Sequence, residues 1–423
     1  MAEFADRHVR FINHRKKFYF REIIFQFAVI LLMSNIAALS YNFMILTAFL
    51  LTFGVLGLLQ KYGLPKLSRS QLWVVLSYSV ISMLFGYYLF MGYYEGPFSM
   101  WLNRFGRVLV GLILIFGVLA LSNIQGGLFR FYKSVILGTA LAFVTAIIQL
   151  LRPNLWEQWA YNASDLRIIP EAGQSGRAFG IWQNSLDFSF VLLIGIIAVL
   201  ILKQNRVYSK GFLYSLILPL YSALIIFSFS RVASCVLLIG IGSYLLLSKR
   251  RKYILAVVLI TIALVGFGIA NKFIRGAAEE RYAFFSSEGL IPTLTGFSTT
   301  ARLEIAKDSI DAAINGPSYG YGLGGYLIAL SSYVRPHNMF LQLWLEFGWM
   351  GLLFSSLLTV TLIICAQRSG SNMGISIFVV LIVLGSTLFL GHIILVFWFQ
   401  ALIALILTFK YTGAKINEVK KHY

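Results

Sequence analysis

The residues best suited to chemistry gather around His337, in Arg335-Pro-His-Asn338, where a polar loop meets a long apolar run. An imidazole at such a boundary can accept a proton near neutral pH, as a general base must. Pro336 disfavours helix in Arg335 and suits the first turn of a following helix, so His337 and Asn338 fall near a helix amino end. Glu346 follows in the apolar stretch Leu343-Trp-Leu-Glu-Phe347. A carboxylate at that depth is costly unless it is paired or lines a polar cavity. Arg231 stands in Phe227-Ser-Phe-Ser-Arg-Val-Ala233, between two apolar runs with almost no loop, where it is expensive without an anionic partner. Arg302 follows Ser298-Thr-Thr-Ala301; with Thr299 or Thr300 as N-cap it falls in a first turn, and a helix amino end plus a guanidinium cradles an anion. Arg177 and Asn184 stand ahead of a further apolar run that opens with Asp187. A base and several guanidinium forks suit attack by a hydroxyl on a substrate whose leaving group is anionic.

The elements that must position these groups are membrane helices. The chain has 423 residues, 59% hydrophobic and 12% charged. Apolar runs recur from residue 22 to residue 409. Each is long enough to cross about 30 Å of hydrocarbon, and only helices or closed barrels satisfy their backbone there. The reading is an all-α polytopic membrane protein, one domain over 1–423, with about 12 spans. These are placed near 22–40, 42–60, 72–94, 106–122, 135–151, 186–203, 211–229, 232–248, 253–271, 339–365, 374–390 and 393–409. The basic tail 1–21 anchors the amino end in the cytoplasm under the positive-inside rule, and alternation then puts both termini inside. Loops 152–185 and 272–338 fall outside and form the expected active-site face. The second should hold a short amphipathic helix with Leu303, Ala306, Ile310, Ala313 and Ile314 as its apolar stripe. After it comes the glycine-rich stretch Asn315-Gly-Pro-Ser-Tyr319-Gly-Tyr-Gly-Leu-Gly-Gly325, which lacks the Lys-Ser/Thr ending of a nucleotide loop.

Charge divides by kind as well as by number. On this topology the inner side carries ten arginines and thirteen lysines, while the outer side carries ten arginines and only Lys272 and Lys307. Topogenesis does not demand that split, whereas gripping phosphate or carboxylate oxygens favours the planar fork of arginine. The competing reading pairs these arginines with Glu157, Asp165, Glu171, Glu279, Glu280, Glu288, Asp308 and Asp311. The net charge of +19 reflects topology and anionic lipid or substrate, not nucleic acid. Cys235 and Cys365 read as small core residues, and Gly348 with Gly351 as a small-residue helix contact. Trp156, Trp159, Tyr161, Trp182 and Trp344 read as belt aromatics.

These blocks together resemble a family, the bacterial O-antigen polymerases and O-antigen ligases. The resemblance rests on Ser230-Arg231 opening a span, on Ala301-Arg302-Leu303 with Asn315-Gly-Pro317 and Gly320-Tyr-Gly322, and on Pro336-His-Asn338 through Glu346, Gly348 and Gly351. A looser match is Arg177 with Gly180 and Asn184. The resemblance implies a metal-independent, cofactor-free glycosyltransferase facing the periplasm or exterior from the bacterial inner membrane. Its donor would be an undecaprenyl-diphosphate-linked glycan, and its acceptor a glycan or lipid A–core. Membrane lipids and other polysaccharide assembly proteins would be its further partners. Arg231, Arg302 and Arg177 would hold the diphosphate and His337 would serve the acceptor hydroxyl. Asn184, Arg335, Asn338, Glu346 and Tyr319 would contact substrate. The Arg177–Asn184 stretch looks more like a polymerase than a ligase. A twelve-span transporter or lipid-linked glycan flippase is the rival from another class; it would place its charges near the midplane, and here they cluster at one surface.

Overall fold

The computed structural model describes residues 20–35, 41–124, 126–152, 178, 182, 185–204, 212–228, 230–247, 297–330, 336–368, 373–391, 394 and 396–420. Among these the chain is helical, and an isolated parallel bridge between Tyr94 and Leu323 stands outside the helices. In chain order the helices are α1 (Phe20–Met33), α2 (Tyr41–Tyr62), α3 (Arg69–Phe90), α4 (Phe98–Leu121), α5 (Gly127–Leu151), α6 (Ser185–Gln204) and α7 (Phe212–Phe227). Then follow α8 (Arg231–Leu247), α9 (Phe297–Asn315), α10 (Tyr326–Ala329), α11 (Met339–Arg368), α12 (Met373–Phe389) and α13 (Phe397–Lys420). Six of the described helices are long and apolar enough to cross a membrane: those over Met44–Tyr62, Arg69–Phe90, Phe98–Leu121, Gly127–Leu151, Ser185–Gln204 and Met339–Arg368. Shorter apolar helices cover Leu216–Phe227, Arg231–Tyr244, Met373–Phe389 and Phe397–Phe409. The expected span 253–271 lies outside the described residues. The molecule is a multi-pass membrane protein.

Two helices begin well before their apolar runs. α4 starts at Phe98, eight residues ahead of the expected 106, and α5 at Gly127 instead of 135. Hydropathy marks where a helix enters lipid, while backbone hydrogen bonding continues through Asn103, Arg104 and Arg107 as readily as through leucine. Pro97, extended at φ −67° and ψ 133°, is the residue that stops α4 at its amino end. α3 opens with a reciprocal cap, the Ser68 hydroxyl accepting from Gln71 N–H and the Gln71 amide oxygen accepting from Ser68 N–H.

α6 is the hub. Phe188 to Leu202 is buried throughout, and it packs against α5, α7, α8, α12 and α13. A helix apolar all round belongs at the centre of a bundle. The outer helices carry exposed Phe49, Leu56, Met83, Phe90 and Leu238, which in water would be a liability and in lipid is the matching surface. α8 runs antiparallel to α12: Gly374 abuts Tyr244, Gly240 abuts Phe378, and Gly385 abuts Val232 and Val236. That register sets Arg231 at the same end of the bundle as the carboxyl end of α12.

Some local expectations are overturned. Cys365 is buried, but Cys235 is exposed on α8. α9 is 19 residues long, not short, and begins at Phe297, so Thr299 and Thr300 lie inside it and Arg302 falls in its second turn. The anion cradle expected at Arg302 therefore lacks the helix end it needed. The apolar stripe of α9 is shifted too: Ser309 and Ala313 are buried, while Leu303, Ile310 and Ile314 are exposed. Small residues face the protein because they let the helix approach closely, and the larger ones turn outward.

Candidate functional site

The centre of the polar end is a break in α11. At Gly348 the backbone takes φ 61° and ψ −150°, which side-chain-bearing residues avoid, so two helical arms meet there. A break exposes backbone groups that must find partners in an apolar setting. The glycine-rich loop supplies them. Trp349 N–H, which would otherwise reach Leu345, donates to Ser318 O at 3.2 Å. Leu345 O accepts from Tyr321 N–H at 2.7 Å, and Glu346 O from Gly322 N–H at 3.1 Å. A Cβ on Gly348 would lie 1.9 Å from Ser318 O, and one on Gly320 2.5 Å from Gly348 N. Gly348 thus makes a close approach to a loop, not to a neighbouring helix as its spacing implied. Gly351 serves the same break: its Cβ would meet Leu343 O at 1.9 Å.

The loop is also sewn to the turn between α3 and α4. Leu323 N–H donates to Tyr93 O and Glu95 N–H to Leu323 O, both at 2.9 Å. Tyr88 hydroxyl donates to Tyr319 O, and Trp101 Nε1 to Glu95 O at 2.6 Å. Loop, helix break and turn form one rigid platform. Glu346 lies inside it, 1% exposed. Its Oε1 accepts from Gly324 N–H at 3.2 Å and from Gln342 Nε2 at 3.1 Å. Phe85, Gln342, Leu343, Glu346, Gly391 and Ile394 line a small cavity beside it.

His337 occupies a bend between buried Pro336 and the amino end of α11, with its side chain exposed. Asn338 caps that helix, its Oδ1 accepting from Phe340 N–H at 2.9 Å and Leu341 N–H at 3.1 Å. Its Nδ2 donates to Leu388 O, at the carboxyl end of α12. Asn338, expected to touch substrate, spends its side chain on fixing the residue next to His337. Tyr319 presents an exposed ring and gives its carbonyl to Tyr88. Through Leu388 and the α8–α12 register, His337 and Arg231 share one end of the bundle. Ser230 precedes Arg231 as the cap of α8, its hydroxyl accepting from Ala233 N–H at 3.4 Å, and the Arg231 side chain is exposed. Asp187, in the first turn of α6, accepts from Trp398 Nε1 at 3.0 Å, while the Trp398 ring stacks on Phe190. Arg302 sits toward the amino end of α9, whose other end packs on the platform through Ala313, Tyr326 and Leu345. Arg177, Asn184 and Arg335 lie outside the described residues, as do Trp156, Trp159 and Tyr161. Trp182 is buried and so is not a belt residue, while Trp344 packs on the exposed Trp349.

The sequence reading named no role for several groups that the fold brings to this end. Arg104 places its guanidinium 4.3 Å from the Trp101 ring centroid. Arg107 bonds Asn103 Oδ1 through Nε at 3.3 Å. Gln400 Nε2 ties Arg107 O to Ile394 O at 2.9 and 3.0 Å. The available signal was an arginine pair one turn apart just ahead of an apolar run.

Residues 214–356 match a known family model, that of O-antigen ligase. Over that third of the chain the protein is similar to the O-antigen ligase/polymerase family. The match spans Arg231, Arg302, the glycine-rich loop, His337, Glu346 and the break at Gly348, so the matched region includes the whole platform except the α3–α4 turn. No curated protein matches the chain.

Proposed function

We propose that the chain is a surface-polysaccharide polymerase, an inverting and metal-independent transferase. It moves a glycan from undecaprenyl diphosphate to a sugar hydroxyl of another lipid-linked repeat unit. The observation that carries the reading is the family match over 214–356, whose candidate base His337 and candidate guanidinium Arg231 lie at one end of the bundle. His337 takes the proton of the acceptor hydroxyl, whose oxygen forms a bond to the anomeric carbon from the face opposite the diphosphate. The bond from that carbon to the diphosphate oxygen breaks, and undecaprenyl diphosphate leaves with the electron pair. Arg231 and Arg302, with Arg177, offset the charge that develops on the leaving group. The capped amino end of α11 and the sewn platform hold the histidine in place, as pre-organisation requires. This end faces the periplasm or cell exterior, in a bacterial inner membrane with both chain termini in the cytoplasm.

A second reading has its own support. The matching model is described as a ligase, which favours transfer to lipid A–core. The polymerase reading leans on the Arg177–Asn184 stretch. One reconstitution separates them: purified protein, an undecaprenyl-diphosphate glycan, a chelator, and either more lipid-linked repeat or lipid A–core. Lengthened lipid-linked chains indicate polymerase, and labelled lipid A–core indicates ligase. His337→Ala should lower turnover about 10²- to 10⁴-fold, the usual worth of a general base, with the unfolding temperature unchanged because the side chain is exposed. Absence of both products, or full turnover in His337→Ala, overturns the assignment.

A further inference from the structure

We infer that α9 is an interfacial membrane helix, with Leu303, Ile310 and Ile314 immersed in phospholipid where headgroups meet acyl chains. At helical pitch these three side chains lie within about 40° of one another round the axis, over about 17 Å of its length. All three are exposed. The buried positions Ser309 and Ala313 centre about 100° to one side. Ala313 packs there on Tyr326 and Leu345 of the platform. Glu304, Asp308 and Asp311 centre about 100° to the other side and are exposed. Lys307, also exposed, falls at the border between the aliphatic stripe and the acidic face. A helix at a protein surface in water needs two faces, one for the core and one for solvent. α9 has three, and the third is apolar.

What covers the stripe follows from where it leads. α9 packs against α11, and its carboxyl end runs through Asn315-Gly-Pro to Ser318, whose carbonyl takes the N–H of Trp349. There the apolar surface continues over exposed Trp349, Met350 and Leu353. These belong to a helix long and apolar enough to cross the membrane, so their outward surface is a lipid contact. Trp349, packed on Trp344, marks the depth, because indole rings collect at headgroup level. Lys307 stands where its stem can follow the apolar face while its ammonium meets lipid phosphates. The carboxylates, which anionic headgroups would repel, stand on the side of the helix turned to water. A protein partner is the poorer fit, since three aliphatic side chains offer none of the tryptophan, tyrosine or arginine anchors on which such interfaces centre. Lipid therefore wedges into the angle between α9 and α11, as an amphipathic helix with a narrow apolar face allows. The placement fixes the glycine-rich loop at headgroup depth, whatever reaction takes place there.

The test is spin-label accessibility in the full chain, held in nanodiscs of phosphatidylcholine and phosphatidylglycerol, in a Cys235→Ser, Cys365→Ser background. Labels go singly on the stripe (Leu303→Cys, Ile310→Cys, Ile314→Cys) and on the acidic face (Glu304→Cys, Asp308→Cys, Asp311→Cys). Each is exposed to oxygen, which partitions into lipid, and to a nickel chelate, which stays in water. The ratio of oxygen to nickel collisions should be severalfold higher on the stripe than on the acidic face. Equal ratios on the two faces would put the stripe in water and overturn the placement. Stripe labels reached by neither reagent would mean that another part of the chain or a second copy covers them, which overturns it as well. A second measurement needs no substitution: phosphatidylcholine with a diazirine in its acyl chain is photolysed around the unaltered protein. It should attach within residues 303–314 as well as at Leu353 of α11; attachment on α11 with none on α9 overturns the inference. Neither measurement requires glycan transfer, so a failure of the proposed function leaves this result standing, and the reverse holds too.

Discussion

Two glutamates, Glu22 and Glu346, are each 1% exposed, and they are held in different ways. Glu22, on α1, pairs with Arg130 of α5 and accepts from the Tyr62 hydroxyl of α2 at 3.4 Å. Its charge is matched by a guanidinium, and three helices are pinned at one point. Glu346 takes a backbone N–H from Gly324 and an amide from Gln342, beside a cavity and close to a helix break. A carboxylate matched by a cation is a closed account electrostatically, with nothing left to offer a ligand. One that accepts from a loop N–H and a neighbouring amide, close to a helix break, fixes that loop in place. The first arrangement ties helices together, and the second ties a loop to a helix break.

The comparison can be broken most severely at the break itself. Gly348→Ala should destabilise the protein by about 3 kcal/mol or more, because the backbone is strained for any side chain and a Cβ meets Ser318 O. Gly106→Ala, a helical glycine with open space around it, should be neutral or stabilising by up to about 1 kcal/mol. Thermal unfolding in detergent reads both, and equal effects would show that the break is not where the platform's stability lies. Glu22→Ala comes next. Leaving Arg130 without its partner should cost about 3 kcal/mol, and a paired Glu22→Leu, Arg130→Met variant should regain most of it. Glycan transfer per folded molecule should not change in either. The smallest stability effect belongs to Glu346→Gln, about 1 kcal/mol or less, since an amide oxygen still accepts from Gly324 and Gln342. Here turnover should fall instead. A Glu346→Gln protein as unstable as Glu22→Ala, with normal turnover, would erase the distinction.

Much of the fold was legible because lipid is a demanding solvent. Long apolar runs must become helices, and Ser230-Arg231 and Pro336-His337 fall at helix starts as their local chemistry requires. The starts of α4 and α5 were misplaced because hydropathy registers lipid and not backbone bonding. The buried face of α9 was read correctly at Ala313 but not elsewhere, because periodicity finds an apolar side and cannot tell that Ser309 packs inward while Leu303 and Ile310 turn out. Glu22 escaped notice at the edge of its run, where a carboxylate looks like an ordinary helix end.

The sequence by itself determined that the chain is a membrane helix bundle, and its motifs already named His337 and Arg231. Both conclusions follow from local facts: apolar length, and residue types at helix boundaries. Only the tertiary structure decided that Gly348 breaks α11, that the glycine-rich loop takes over the freed backbone groups, and that Asn338 caps a helix. It also brought Arg104 and Arg107 to the end that carries His337. Those are contacts between residues far apart in the chain, such as Tyr88 with Tyr319 and Gln400 with Arg107, and no local pattern specifies which distant backbone will meet an unsatisfied group.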